Sequence, residues 1–172
     1  MFDPTIFDNV KVVLEGAVYD LDLDGVILVT QRSDLINLSS MSRTFAIEFT
    51  KKTKLPSKAE ISLHAHLSDL AAEILENTSA APGCILTVKL FTSVKQPERE
   101  CPIIGTELSS IWGHRPQLSQ LLSYEYGSNE VMYNNQITLN FGRKIDESHI
   151  DDFGNLIDCA IQSLEWLDGR GR

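Results

Sequence analysis

The carboxy-terminal part of the chain carries the pattern that constrains the fold most, an apolar stripe at helical spacing. The stripe consists of Ile150, Phe153, Ile157, Ala160, Ile161, Leu164 and Leu167. Acidic residues crowd its first turns, where the helix dipole favours negative charge, and Gly169 follows its last turn. The pattern predicts an amphipathic helix, and such a helix must bury its apolar face against another layer of the protein.

Most of the remaining apolar residues alternate with polar ones, which is the period of a half-buried β-strand. The alternation predicts strands over residues 45–49, 59–67, 85–94 and 131–141, the last of them as one long strand or a hairpin. Strands outnumber helices and mostly come as hairpins, which is typical of an antiparallel sheet with helices on one face. We therefore expect an α+β fold, a mostly antiparallel sheet built from hairpins, with about three helices and the C-terminal helix packed on one face.

Shorter segments are assigned from turn and cap signals. An Asp-Pro pair and helical spacing predict a helix over about residues 4–15, and an Asp-Gly pair between two apolar runs predicts a hairpin over 17–32. The serine-rich stretch 33–42 is expected to be a loop. Apolar residues over 103–112 predict the hairpin partner of the preceding strand, and Pro116 with the leucines after it predicts a short helix.

The 172 residues, 42% of them hydrophobic, match the size and composition of one globular domain with its own core. We expect a single domain over residues 1–172. An alternative is a chain of two similar β-rich halves, about 1–80 and 81–172. The alternative arises because residues 45–78 and 137–168 both run from an apolar strand through a basic pair to a helix.

The sequence also carries information on the compartment in which the protein works. No run of about 18 apolar residues is present, so we expect no membrane span. The amino terminus lacks a basic region, and Asp3 and Asp8 interrupt its apolar residues, so we expect no secretory signal. Cys84, Cys101 and Cys159 are widely spaced, odd in number and without a Cys-x-x-Cys pair, which favours free thiols. These features predict a cytoplasmic location.

Charge is distributed unevenly along a chain whose net charge is −9. The acidic excess argues against nucleic-acid binding, which requires a basic surface that displaces counterions. Residues 43–58 nevertheless carry a local balance of +4, and residues 146–168 one of −7. This asymmetry can orient a partner, including a second copy of the chain, and makes Arg43, Lys51 and Lys52 candidates for a binding surface. A solvated basic loop and a solvated helix face would give the same pattern.

The segment from Asp20 to Ile27 resembles the first part of an EF-hand calcium-binding loop. Asp stands at positions one, three and five, Gly at position six and Ile at position eight. Position twelve, which holds a bidentate Glu in that family, is Gln31 here. A strand that alternates and leads into an Asp-Gly turn produces the same spacing, so we interpret the segment as a hairpin and not as a calcium site.

A second candidate for metal binding consists of His64 and His66, followed by Asp69. If residues 59–67 form a strand, both imidazoles project from one face, with Asp69 at the start of a helix over 68–78. If one helix ran through the whole segment instead, the two imidazoles would diverge and could not chelate. The strand interpretation makes these three residues candidate ligands of a divalent metal, and solvent-facing histidines on a strand are the alternative.

Residues 112–116 combine aromatic, basic and turn-forming residues in what we expect to be a loop. Trp112, His114 and Arg115 are therefore candidates for a binding edge, since loop residues on a rigid scaffold often carry function. Trp112 can equally close the core beneath that loop. The sequence leaves both roles open for this indole.

Motifs with an established chemical role are absent from the sequence. It contains no Gly-x-Ser-x-Gly elbow, no Gly-x-Gly-x-x-Gly fingerprint and no Gly-Lys-Ser/Thr phosphate loop. The segment Gly142-Arg143-Lys144 is too short to replace a phosphate loop. These absences favour a non-enzymatic protein without a cofactor.

We therefore predict a non-catalytic binding or protein-interaction module that self-associates, as a homodimer or with another protein partner. The apolar stripe of the last helix could continue across a two-fold interface. The alternative is a metal-dependent enzyme or metal-binding protein that uses His64, His66 and Asp69.

Overall fold

The computed structural model describes residues 5–51 and 56–170. They form four α-helices and one six-stranded sheet. The helices are α1 (Thr5–Leu23), α2 (Leu67–Ile74), α3 (Pro97–Ile111) and α4 (Phe153–Gly169). The strands are β1 (Ile27–Asn37), β2 (Ser42–Lys51), β3 (Lys58–Ala65), β4 (Cys84–Val94), β5 (Gln117–Ser123) and β6 (Tyr133–Ile145). Short 3-10 helices cover Thr78–Ala80 and Glu147–Asp152.

The strands lie in the order β1-β2-β3-β4-β6-β5, and every neighbouring pair is antiparallel. Helices α1 and α4 cover one face of the sheet: α1 contacts β1 and β3, and α4 contacts β2, β3 and β4. Helix α3 packs on α4, β4 and β5. The predicted α+β fold with the C-terminal helix on one face is confirmed, with four helices in the described residues in place of about three.

The two faces of the sheet differ in composition because side chains alternate along each strand. Under the helices, the central strands present fully buried apolar side chains such as Phe45, Ile61 and Val88. On the opposite face they present half-buried polar side chains, such as Ser62 and its cross-strand neighbour Thr87. The apolar core therefore lies between the sheet and the helices.

The strands predicted over 45–49, 59–67, 85–94 and 131–141 are confirmed as β2, β3, β4 and β6, and β6 is one long strand. The alternative of a single helix through His64 and His66 is excluded, because β3 precedes α2. The predicted amino-terminal helix is confirmed as the start of α1, and its Asp-Pro cap lies outside the described residues. None of the helices in the described ranges combines the length and the apolar character that a membrane crossing requires.

The apolar stripe of the C-terminal helix is buried within the chain itself. Phe153, Ile157, Leu164 and Leu167 are at most 3% exposed, since α4 lays this stripe on the sheet. A helix face that is already covered by its own sheet offers no apolar surface to a second molecule. Self-association through this stripe, the route expected from the sequence, is therefore closed.

The hairpin predicted over 17–32 is wrong. Helix α1 continues to Leu23, and β1 begins only at Ile27. Tyr19, Leu21 and Leu23 fit the alternation of a strand. Val10, Leu14 and Val18 instead recur every four residues, and their complete burial in the core selects the helix. Gly25, at a φ of 80°, turns the chain out of the helix. The EF-hand-like spacing therefore lies on the end of a helix and not on a hairpin.

The loop predicted over 33–42 is also wrong, because most of it belongs to β1 and β2. The two strands pair up to Asn37 and Ser42, which leaves a four-residue turn that contains Met41 at a φ of 52°. Polar residues are tolerated in β1 because it is an edge strand that faces solvent.

The strand predicted over 103–112 and the short helix predicted after Pro116 are wrong as well. Pro97 occupies the first turn of α3, and Ile104 and Leu108 bury one face of that helix at a spacing of four residues. The leucines after Pro116 mimic helical spacing, but their segment pairs with β6 as the edge strand β5.

A network of ion pairs joins α1, β1 and β2. Arg43 lies 3.1 Å from Asp34 and 3.5 Å from Asp8, and Lys11 lies 2.9 Å from Asp34 and 3.4 Å from Asp8. The Arg43 guanidinium also lies over the Phe7 ring, 4.8 Å from its centroid. Burial alone would raise the pKa of Asp34, but the hydrogen bonds from Lys11 and Arg43 outweigh burial and hold the pKa below its ordinary value.

Because the pKa of Asp34 is lowered in the folded protein, the free energy of unfolding should depend on pH in the acid range. A carboxyl group with a depressed folded pKa stabilises the fold above its unfolded pKa, about 4, and this contribution disappears as pH falls through the folded pKa. We expect Asp34→Asn to be less stable than the wild type at about pH 7, with the difference shrinking as pH falls below about 4. Urea unfolding of both proteins between about pH 7 and pH 3 measures this difference in the free energy of unfolding. A difference that stays constant as pH falls would contradict the stabilising role of the ionised Asp34.

Candidate functional site

A cleft of about 650 Å³ lies where the ends of α3 and β6 meet the start of α4. Its apolar lining consists of side chains from several elements, including Trp112, Phe141, Phe153, Leu86 and Leu156. We call it the Trp112 cleft. Its volume falls within the range of roughly 300–1,000 Å³ that is typical of small-molecule sites, and such sites are mostly apolar with a few placed polar groups.

The position of Trp112 follows from the way in which α3 ends. The Trp112 N–H donates to the Leu108 carbonyl at 3.0 Å, and the Gly113 N–H donates to the Ser110 carbonyl at 3.0 Å. Gly113 and His114 then adopt left-handed φ values of 62° and 56°, which turn the chain from α3 toward β5. The indole therefore stays on the core side while the residues that follow are exposed.

Trp112 is held firmly between α3 and α4. Its Nε1 donates to the Ser163 hydroxyl at 2.9 Å, and that hydroxyl donates to the Cys159 carbonyl at 2.7 Å. The indole also meets Phe141 edge to face, with ring centroids 5.9 Å apart. Only 6% of Trp112 is exposed, so this residue closes the core and at the same time forms a wall of the cleft.

Two arginines line the cleft without an ion-pair partner. Arg115 follows the α3 turn, Arg143 lies near the end of β6, and both are exposed. Most lysines and arginines in the described ranges form ion pairs; those that do not are Lys95, Arg99, Arg115 and Arg143. The net charge of the chain is −9, so two guanidinium groups without a carboxylate partner in the described residues are unusual here. An anionic group on a ligand would be the complementary partner for them.

His149 and Asp152 add polar groups to the same cleft. His149 Nδ1 lies 3.2 Å from the Asp146 backbone N and 3.1 Å from Asp146 Oδ1, so Asp146 holds this end of the ring and Nε2 is the ring nitrogen left for a ligand. Hydrogen bonds from the Ser148 side chain and backbone, and further ones from His149, lower the pKa of Asp146. The ionised Asp146 thereby fixes the His149 ring at the start of the 3-10 helix.

Cys159 also lines the cleft but does not have the surroundings of a nucleophile. Burial raises the pKa of this thiol, Asp158 raises it further, and Arg115 opposes them without reversing the shift. A nucleophilic cysteine needs a lowered pKa, usually from a neighbouring histidine or a helix N-terminus. The Sγ atom instead lies 3.7 Å from the Ile111 carbonyl. Cys159 is therefore not placed to act as a nucleophile in this cleft.

The other residues predicted as a binding surface do not line the Trp112 cleft in the described part of the chain. Arg43 is held in the ion-pair network with α1 and β1, and Lys51 pairs with Glu165 of α4. Lys52 lies outside the described residues. His114 is exposed and lines a groove between α3 and β5, separate from the Trp112 cleft. Of the predicted surface, the structure brings Trp112 and Arg115 together.

The structure places His64 and His66 side by side but engages Asp69 elsewhere. The two imidazoles lie edge to face with centroids 4.5 Å apart, and His64 Nδ1 is 2.8 Å from Thr44 Oγ1. Burial and, second, the neighbouring His66 lower the pKa of His64. Buried Asp69 accepts the His66 N–H at 3.3 Å and pairs with Lys144. Within residues 5–51 and 56–170, no three His, Cys, Asp or Glu side chains are grouped to hold a metal, so the metal alternative stays a prediction.

Arg143, Phe141 and His149 are cleft residues that the sequence did not identify. In the sequence, only Arg143 stands out, as a basic residue beside Gly142 in a segment that is too short for a phosphate loop. They reach the cleft because β6 pairs with β4 and so ends beside α3, and a pairing between strands distant in sequence leaves no local signature.

No protein-family model, no curated protein and no solved structure matches this chain. The geometry and chemistry of the described residues are therefore the basis for assigning a function.

The hydrogen bond between Trp112 and Ser163 predicts a measurable loss of stability. Ser163→Ala leaves the buried indole N–H without an acceptor, and we expect the free energy of unfolding to fall by about 1–3 kcal/mol in urea titrations. Trp112→Phe in the Ser163→Ala background removes the orphaned donor, so the double variant should lose less than the sum of the two single losses. Strict additivity would show that this hydrogen bond does not hold the wall of the cleft.

Metal analysis of the purified protein tests the alternative site at His64 and His66. Since Lys144 and a backbone N–H already engage Asp69, we expect less than roughly a tenth of an equivalent of zinc, iron or manganese. About one equivalent of metal, lost in both His64→Ala and His66→Ala, would establish the metal site instead.

Proposed function

We propose that this protein is a non-catalytic binding module whose Trp112 cleft holds a small molecule with an apolar body and one acidic group. The observation that carries the proposal is the pair Arg115 and Arg143, which form no ion pair with any described residue and line a cleft that also offers aromatic and aliphatic surface. Elsewhere in the described chain, most cations are neutralised by a carboxylate within the fold.

The apolar part of the ligand matches the lining of the cleft. Trp112, Phe141 and Phe153 offer aromatic surface, and Leu86 and Leu156 add aliphatic surface. Transfer of an apolar chain from water to such a surface contributes about 0.8 kcal/mol for each buried methylene group. An aliphatic or aromatic body of moderate size would therefore supply most of the affinity.

The acidic part of the ligand matches the arginines and His149. A guanidinium group presents its N–H donors in a planar fork that fits a carboxylate or a phosphate. His149 presents Nε2, the ring nitrogen that Asp146 does not contact, as a further polar group, and this nitrogen is a donor when the imidazole is protonated. The carboxylate of Asp152 also lines the cleft and would repel a second negative charge, which favours a ligand with one acidic group.

A non-catalytic role agrees with the state of the potential nucleophile. The raised pKa of Cys159 keeps the thiol protonated at neutral pH, and the Asp146 backbone N–H engages the Nδ1 atom of His149. The three cysteines are free thiols, with Cys84 buried and the other two half-buried. Free thiols are typical of a reducing compartment and support a cytoplasmic location.

Titration with decanoate tests the proposed function. In a Trp166→Phe background, Trp112 is the remaining tryptophan, so its fluorescence reports occupancy of the cleft. We expect saturable binding, weakened about threefold to tenfold in Arg115→Ala and in Arg143→Ala, because each removes a charge-assisted contact that is partly screened by water. Decanol should bind more weakly than decanoate.

The matched controls are Lys95→Ala and Arg99→Ala, which remove the other unpaired cations of the described residues and lie outside the Trp112 cleft. They should leave the affinity for decanoate unchanged. Equal binding of decanol and decanoate, or an affinity that depends on Lys95 and Arg99 and not on Arg115 and Arg143, would refute the proposal.

A further inference from the structure

Strand β1 forms one edge of the sheet and exposes a series of large apolar side chains. It pairs with β2 on one side, and no described strand pairs with its other side. Leu35 and Ile36 are each 60% exposed, and Leu38, in the turn that follows, is 80% exposed. An edge strand with unpaired backbone groups and exposed apolar side chains is a template for a further strand.

Strand β1 has only some of the devices that protect an edge strand, namely the irregularity after Val29 and the inward-facing charges of Arg32 and Asp34. Its sequence contains no lysine and no proline, and its eleven residues are more than most edge strands have. A single irregularity lies between Val29 and Gln31. The opposite edge, β5, has only seven residues. Of the two edges, β1 therefore offers the longer surface for strand addition.

The charges on β1 are self-complementary. Arg32 and Asp34 lie opposite Ile47 and Phe45 of β2, so both project from the face that carries the helices. If two β1 strands pair antiparallel about a two-fold axis at Ser33, Arg32 of each copy lies opposite Asp34 of the other. Residue 30 is the extra residue at the irregularity of β1, so Val29 of one copy would lie opposite Ile36 of the other on the same face. Within each chain Arg32 already pairs with Glu15, and Asp34 already pairs with Lys11 and Arg43. The contacts across the axis would therefore extend these ion pairs from one copy to the other.

The same charges disfavour the neighbouring registers. A two-fold axis at Arg32 would place this arginine opposite itself, and an axis at Asp34 would do the same to that carboxylate. An axis between two residues would put inward-facing side chains opposite outward-facing ones. The Arg-Ser-Asp sequence therefore selects the register centred on Ser33.

Helix α1 would contribute to the same interface. Lys11 and Glu15 pair with Asp34 and Arg32, which places this flank of α1 above the edge strand. Val12, beside these residues on the helix, is 62% exposed. A second copy docked at β1 would bring its own α1 flank toward Val12 and cover apolar surface that the isolated chain leaves in water.

We propose that the protein associates with a second copy of itself by antiparallel pairing of the two β1 strands about a two-fold axis at Ser33. The two six-stranded sheets become one continuous sheet with its helices on one side. This surface shares no residue with the Trp112 cleft, so the proposal does not rest on the proposed ligand.

Light scattering tests the association. At a chain concentration of about 50 µM, well above a micromolar dissociation constant, we expect a mass of about 38 kDa, twice the 19.2 kDa of one chain. The Leu35→Lys/Ile36→Lys variant should return the mass to that of one chain, since lysines block edge pairing. Leu121→Lys, at a residue of β5 that is 65% exposed, is the matched control and should leave the mass unchanged.

A cysteine cross-link tests the register. Residues opposite each other in an antiparallel pair have Cα atoms about 4.5–5.5 Å apart, which suits a disulfide. Ser33→Cys should therefore form a covalent dimer on mild oxidation. Gln31→Cys should not, because residue 31 of one chain lies roughly 13 Å along the strand from residue 31 of the other chain. The wild type, with its three cysteines, sets the background.

A monomer mass for the wild type would overturn the proposal, as would a dimer that survives Leu35→Lys/Ile36→Lys but is lost in Leu121→Lys. Cross-linking through Gln31→Cys in preference to Ser33→Cys would overturn the register.

Discussion

The packing of α4 on one face of the antiparallel sheet is the constraint on which the other features depend. Its apolar stripe covers the central strands, and Ser163 on the same helix binds the Trp112 indole. Helix α3 is thereby attached to α4 at its last turn. The start of α4 does not reach the end of β6 closely enough to close the core, and the gap between them is the Trp112 cleft.

The distribution of charge shows why a local excess in sequence is a poor guide to a binding surface. Two of the described basic residues in the band 43–58 pair with carboxylates that lie far away in the chain, Arg43 with Asp8 and Lys51 with Glu165. Pairing of this kind depends on tertiary structure and is invisible in a count of charges. Among the described residues, Arg115 and Arg143 form no ion pair, although Arg143 stands next to Lys144, which pairs with Asp69.

The sequence predicted those elements whose hydrophobic period is unambiguous. The stripe of α4 and the alternation in β3 and β4 each fit one period, and the structure agrees with them. The end of α1 contains both patterns: Tyr19 to Leu23 alternates, whereas Val10, Leu14 and Val18 follow helical spacing, and the complete burial of this second set selects the helix. The leucines after Pro116 follow helical spacing, but pairing with β6 makes their segment a strand. The apolar run over residues 103–112 favours a strand when it is considered as a whole. The two residues of it that are buried in α3, Ile104 and Leu108, are four positions apart, which is a helical spacing.

The candidate site was predictable only in part, for the same physical reason. Trp112 and Arg115 lie on one loop, and the combination of residue types in that loop was visible in the sequence. Arg143 and His149 join them through the pairing of β6 with β4 and through the cap that Asp146 forms. These contacts link segments whose relation appears only once the sheet has formed.

The strand order separates the two proposed surfaces. The β1 edge lies at one end of the sheet, whereas the cleft takes its lining from β4, β6 and the helices at the other end. A dimer formed through β1 would therefore carry its two clefts at the far ends of a continuous sheet, with each opening left free. The two surfaces share no residue, but α1 links them. Asn9 of this helix donates a hydrogen bond to Glu147, which belongs to the same 3-10 helix as the cleft residues His149 and Asp152. The proposed ligand site and the proposed dimer interface are therefore separate surfaces, and α1 is the element through which one could affect the other.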